Sequence, residues 1–148
     1  MVLTVGLDQL TKLLTLACLT DAPFKLIPGV LHLTYVENRG AAFGMLADHR
    51  WVFILISIVA IAILLAYLII KKPEDKLLSI SLALVAGGGI GNMIDRIFRG
   101  FVVDMIDVTL IDFYVFNVAD SAVCIGCGLL ILYMILDEVR KRKANILK

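Results

Sequence analysis

From Trp51 to Ile70 the chain runs for twenty residues without a charged side chain, between Arg50 and the pair Lys71-Lys72. As an α-helix this run is roughly 30 Å long, which matches the hydrocarbon core of a bilayer. Trp51 and Tyr67, near its two ends, suit the membrane–water interfaces. The composition points the same way. Of the 148 residues, 61% are hydrophobic and 18% charged, and the mean hydropathy is +0.98; soluble domains are about half apolar and a quarter charged. A chain this apolar has ample surface to bury, which excludes disorder. Its length allows one domain, residues 1–148. A net charge of +1 supplies no argument for nucleic acid, and three cysteines without framework spacing exclude a disulfide-stapled secreted fold. The class that remains is a small integral membrane protein.

Three further spans complete the expected fold, an all-α membrane protein with a bundle of four transmembrane helices. One covers residues 77–94, after the helix-unfriendly Lys72-Pro73-Glu74-Asp75, and another covers 118–136, before Asp137-Glu138 and the basic tail Arg140-Lys141-Arg142-Lys143. The first span, residues 2–20, is apolar apart from Asp8, Gln9 and Lys12. Asp8 and Lys12 stand four apart on one helix face, where they can satisfy each other inside a bundle. No basic stretch precedes them and no small-residue cleavage site follows, so this segment reads as a short membrane helix rather than a signal peptide. Eight basic residues lie on the side of the 71–76 loop and the tail, against five in the loops 21–50 and 95–117. Both termini are therefore expected in the cytoplasm, with the longer loops outside. In those loops Leu31 to Val36 alternates apolar and polar residues like a half-buried strand, and Val108 to Phe116 is β-branched and aromatic enough to form another.

Ionisable groups at membrane depth cost roughly 2.5–3.5 kcal/mol each, so they usually face a cavity or a partner. Asp95, Arg96, Asp104, Asp107, Asp112 and Asp120 all lie beside the spans. Arg96, at the close of the 77–94 span, can pair with a carboxylate or hold a backbone carbonyl. Asp104 is a lone carboxylate in the apolar run from Phe101 to Ile106, where desolvation raises its pKa. Two desolvated carboxylates that approach each other cannot both ionise readily. Such a pair can hold a water between a general base and a general acid, the chemistry of aspartic proteolysis. The competing role for an Asp beside a helix start is an N-cap. Spacing alone does not select Asp104 and Asp120 from the others.

Four motifs, taken together, select them. Asp8-Gln9-Leu10-Thr11-Lys12 resembles the first signature of the lipoprotein signal peptidase family, also called signal peptidase II. Asn38-Arg39-Gly40-Ala41-Ala42-Phe43-Gly44 resembles the second. Gly91-Asn92-Met93-Ile94-Asp95-Arg96 with Val102-Val103-Asp104 resembles the third, and Phe116-Asn117-Val118-Ala119-Asp120-Ser121 the last. Their order is the family's and they cover nearly the whole chain. The resemblance implies an aspartic endopeptidase of the bacterial cytoplasmic membrane, with no cofactor and no metal. It implies a diacylglyceryl-modified prolipoprotein as substrate, cut just before the modified cysteine, with membrane lipid around a monomeric enzyme. By motif position Asp104 and Asp120 match the catalytic pair. Asn38, Gly40, Asn92, Asp95, Arg96 and Asn117 match residues that shape the site and hold substrate, and Asp8 with Lys12 matches a supporting pair. The family's four-helix bundle carries a small extracytoplasmic β-cradle, in agreement with the strand signals. The seven residues ahead of Asp8 are fewer than the family's usual apolar lead, so either the first span sits shallow or the start is truncated.

Other signals carry less. Cys124-x-x-Cys127 lies in an apolar helix without further Cys or His nearby and is expected to pack, and Cys18 is equally plain. Gly87 to Gly91 matches no nucleotide loop, but Gly87 and Gly91 form G-x-x-x-G, which permits close helix approach. His32 and His49 lack metal-ligand spacing, and Ser121 lacks a base. The main rival is a small transporter or channel subunit with an Asp/Arg ion path. It accounts for the charges but not for Asn-rich motifs on one side of the bilayer.

Overall fold

The computed structural model describes residues 1–40 and 50–146; Ala41 to Gly44 of the second motif, His49 and Lys148 lie outside them. In chain order the elements are α1 Val2–Cys18, β1 Phe24–Ile27, β2 Leu31–Asn38, α2 Arg50–Lys71, α3 Lys76–Phe98, β3 Val102–Asp107 and α4 Val118–Ile146. Length and composition suit α2, α3 and α4 to crossing a membrane. The 17 residues of α1 make a helix of about 25 Å, short of the roughly 30 Å core. So the four expected helices form, and three of them have the length and composition of spans.

The packing inverts the pattern of a soluble protein. In α1 the buried residues are Asp8, Lys12 and Thr15, at helical spacing, while Leu3, Leu7, Leu10 and Leu14 are exposed. A helix that turns its polar stripe inward and its leucines outward suits lipid. In α2, Ile54 and Ile61 are buried on one side, whereas Leu55, Ile56, Ile63, Ile69 and Ile70 are exposed. At the centre α3 and α4 pack through small residues. A Cβ on Gly126 would sit 2.9 Å from the Ser81 carbonyl oxygen, and one on Gly88 would collide with the Ala119 carbonyl and approach Val123 Cγ2 to 2.7 Å. Backbones approach this closely only where side chains are absent. Gly87 and Gly91 serve α1 likewise, facing Thr4 and Asp8. The expected packing role of Cys124 and Cys127 is not met, since both are exposed. Ala119, Ala122 and Gly126 occupy the inner face of α4, which turns the two cysteines outward.

β1, β2 and β3 form one antiparallel sheet in that order. The 31–36 strand signal is met by β2, although its residues are half-buried in a row rather than alternately. The second strand lies earlier than expected, at 102–107 instead of 108–116. Residues 109–111 form a 3-10 turn, Asp112 adopts φ 49°, and only Phe116 pairs, in a lone bridge to Ile106. The physical reason is the end of α3. Gly100 takes φ 85° and its N–H donates to the Asp95 carbonyl at 3.2 Å, so the chain reverses at once and enters the sheet at Val102. β3 then pairs Val36 with Asp104 and Asn38 with Val102.

Candidate active site

Beneath the sheet, α1 and α3 enclose a charged group with no exposure to solvent. Lys12 Nζ lies 2.9 Å from Asp8 Oδ2 and 3.0 Å from Asp95 Oδ2, and it donates at 2.9 Å to Asn92 Oδ1. All of Asp8, Lys12 and Asp95 are fully buried. Such ions persist in a low-dielectric interior only when each is paired and hydrogen-bonded. Asp95 Oδ1 is met by Arg99, one turn on, and Gln9 Nε2 donates to Asp8 Oδ2, to the Gly91 carbonyl and to Asp95.

Each of the two anions also holds a backbone amide of a neighbouring element. Asp8 Oδ1 accepts from Ala119 N at 2.9 Å, in the first turn of α4, where a negative charge also favours the helix dipole. Asp95 Oδ2 accepts from Val103 N at 3.0 Å, in β3. The residues that follow these two amides are Asp120 and Asp104.

Three asparagines join the carboxylates, and chemistry dictates how their amides face. Asn92 Oδ1 receives the Lys12 ammonium, Asn117 Oδ1 receives Asp120 N at 2.9 Å, and Asn38 Oδ1 receives Gly40 N at 3.1 Å. An ammonium or a backbone N–H can only donate, so each amide must turn its carbonyl there and its NH2 the other way. Those NH2 groups donate to the carboxylates: Asn92 to Asp120 Oδ1 at 2.7 Å, Asn117 to Asp104 Oδ1 at 2.6 Å, and Asn38 to Asp104 Oδ2 at 2.9 Å. Asn117 Nδ2 also donates to Asn92 Oδ1 at 3.1 Å. Asp120 Oδ2 returns to Asn117 N at 3.3 Å, which closes a reciprocal cap at the start of α4. Asp120 therefore takes part in the cap of α4 and, through Asn92 and Asn117, lies in the same hydrogen-bond network as Asp104.

Burial, against the lowering Asn38 and Asn117 hydrogen bonds and with the neighbouring Asp120 charge adding to it, pushes the Asp104 carboxyl up to about 6. Arg96 reaches the Gly40 carbonyl at 3.5 Å, one of the two roles expected for it. Thus Asp8, Lys12, Asn38, Gly40, Asn92, Asp95, Arg96, Asp104, Asn117 and Asp120 form one connected group. Asp107 instead ends β3 opposite His32, and Asp112 is the left-handed turn residue. Ser121 Oγ is spent on the Asn117 carbonyl. Sequence reasoning missed Gln9 and Arg99 as members; the i, i+4 spacing of Asp95 and Arg99 on one helix was the available signal. Among the described residues no three His, Cys, Asp or Glu side chains come together as a metal-binding group.

The arrangement of helices and sheet is similar to a solved bacterial membrane enzyme, with TM-score 0.87 and 34% identity over 95% of this chain and 87% of that one. Apolar helices outside and a buried polar cluster inside define a multi-pass membrane enzyme. A family model described as signal peptidase (SPase) II matches residues 1–136. The chain is 42% identical over 142 residues to the lipoprotein signal peptidase of Clostridioides difficile, covering 95% of each. It is 43% identical over 135 residues to that of Streptococcus thermophilus, covering 90% of this chain and 88% of the relative. The chain belongs to the signal peptidase II family, whose members are proteases.

Proposed function

We propose that the chain is an aspartic endopeptidase that removes the signal peptide of prolipoproteins just before the diacylglyceryl-modified cysteine. The observation that carries this reading is Asn117, which donates to Asp104 and exchanges cap hydrogen bonds with Asp120. A water between the two carboxylates attacks the scissile carbonyl. Asp120 takes the water proton while Asp104, with its carboxyl near 6, donates to the carbonyl oxygen. Collapse of the tetrahedral intermediate sends a proton to the leaving amine. Arg96 and the three asparagines hydrogen-bond an extended substrate backbone that would otherwise stand unpaired at low dielectric. The lipid tails remain in the bilayer. In this reading α1 is a fourth, shallow span, both termini are cytoplasmic, the site faces outward and the enzyme works as a monomer.

The test is cleavage of a diacylglyceryl-modified precursor beside its unlipidated form by purified protein in detergent. The lipidated form alone should be cut, and Asp104→Asn and Asp120→Asn should each abolish cleavage while leaving the protein inserted and folded. If both Asn variants still process the precursor, the pair is misassigned. Cleavage of both forms would point to a less selective protease, and of neither to an ion path.

A further inference from the structure

Lys12 touches neither Asp104 nor Asp120 in any hydrogen bond, yet three of the groups that support the pair, Asp8, Asp95 and Asn92, meet at its ammonium. Asp8 bonds Lys12 and the amide of Ala119, directly before Asp120. Asp95 bonds Lys12 and the amide of Val103, directly before Asp104. Asn92 receives the third Lys12 contact and donates to Asp120, and its carbonyl also takes a hydrogen bond from Asn117, the donor to Asp104. Three acceptors, three donors on one buried cation, and one cation for two strands of support: the stoichiometry closes without water.

We propose that Lys12 is a positioning residue which sets the spacing and the amide orientations of the Asp104–Asp120 pair, acting through Asn92, Asp8 and Asp95. The alternative is that it serves only to neutralise buried carboxylates. Remove the ammonium and Asn92 Oδ1 keeps only the longer hydrogen bond from Asn117 Nδ2 to hold its NH2 toward Asp120; a flipped amide would turn a carbonyl oxygen onto a carboxylate. The two acidic anchors would also lose the cation between them, leaving the neutral Gln9 amide as their bridge, so the amides before Asp104 and Asp120 would be held less closely. Misplacement on the scale of an ångström costs about 100-fold in rate. The proposal rests on the aspartic reading above.

Lys12→Met alone strands two buried carboxylates and is expected to fold poorly. The informative variant is therefore Asp8→Asn with Lys12→Met, which removes one charge of each sign and leaves Asp95 with Arg99. Asn at position 8 can still accept from Ala119 N through its carbonyl. Wild type must first cut the lipidated precursor; if it does not, the aspartic reading fails before this one is reached. The double variant should keep its melting temperature in detergent and its KM, with kcat lower by about 10- to 100-fold. Adding Asn92→Ala to it should lower kcat by less than the product of the two separate effects, since both act in part at one amide. Undiminished kcat in the charge-balanced variant, or full additivity with Asn92→Ala, would overturn the proposal. If the double variant does not fold, the cycle is run with Asp8→Asn and Lys12→Gln, which keeps the charge balance and a donor at position 12; unchanged kcat there is the overturning result.

Discussion

At the scale of single residues the candidate site depends on which polar groups can only donate. Asn38, Asn92 and Asn117 are each pinned at the carbonyl end, and this turns three ambiguous amides into three donors aimed at two carboxylates. Asp104 feels the result as well as its burial. Its carboxyl is raised from 3.8 to about 6, so the folded protein holds that proton more tightly than the unfolded chain. The stability this contributes is full below about 3.8 and is lost as pH rises through about 6. The same proton serves the proposed acid step. kcat/KM for the lipidated precursor should therefore fall as pH rises past about 6, approaching tenfold per unit, in a profile measured from pH 4 to 8. A rate that climbs through that range would assign the acid role elsewhere.

At the scale of elements the decisive contact is between α3 and α4. Gly88 and Gly126 let the two backbones meet, and Ala119, whose carbonyl Gly88 faces, precedes Asp120. A methyl at either glycine has only backbone and packed valine to displace. Gly126→Ala is expected to lower stability by about 1–3 kcal/mol through overpacking, read as a lower melting temperature in detergent. Gly88→Ala should do the same and also reduce cleavage, because the displaced turn carries Asp120. Equal activity per folded molecule in Gly88→Ala would show that the start of α4 tolerates the shift. Elsewhere, α3 is begun by the Asp75 side chain, which accepts from Leu77 N and Leu78 N and also from Arg140 of α4. The Arg140 contact holds the Asp75 carboxyl below its ordinary value.

At the scale of the whole molecule the exposed leucines and isoleucines are the surface a bilayer covers, and the proposed sense of insertion rests on the basic residues. Lys71, Lys72 and Lys76 lie at the end of the bundle that Arg140 reaches through Asp75. With Cys18, Cys124 and Cys127 first replaced by alanine, a cysteine at Lys72 should react with an impermeant maleimide only in inverted vesicles. A cysteine at Thr109 should react in intact cells. The opposite pattern would reverse the topology and bring the site to the cytoplasmic face.

How much of this was legible follows from range. The twenty uncharged residues from Trp51 to Ile70, the helical spacing of Asp8 and Lys12, and the order of four polar motifs are local facts, and they determined a helical membrane protein, its family resemblance and most members of its candidate site. Helix and strand limits slipped where a turn decided them: Gly100 reverses the chain early, so the strand signal at 108–116 yielded to 102–107. The bond from Asp8 to Ala119, 111 residues apart, and that from Gln9 to Asp95 belong to no periodicity. Sequence by itself determined which charged residues stand beside or within apolar spans, because that depends on the residue and its neighbours along the chain. Only the tertiary structure decided which of them are buried and that Asp8 and Asp95 share one lysine, because hydrogen-bond partners are chosen by distance in space and not along the chain.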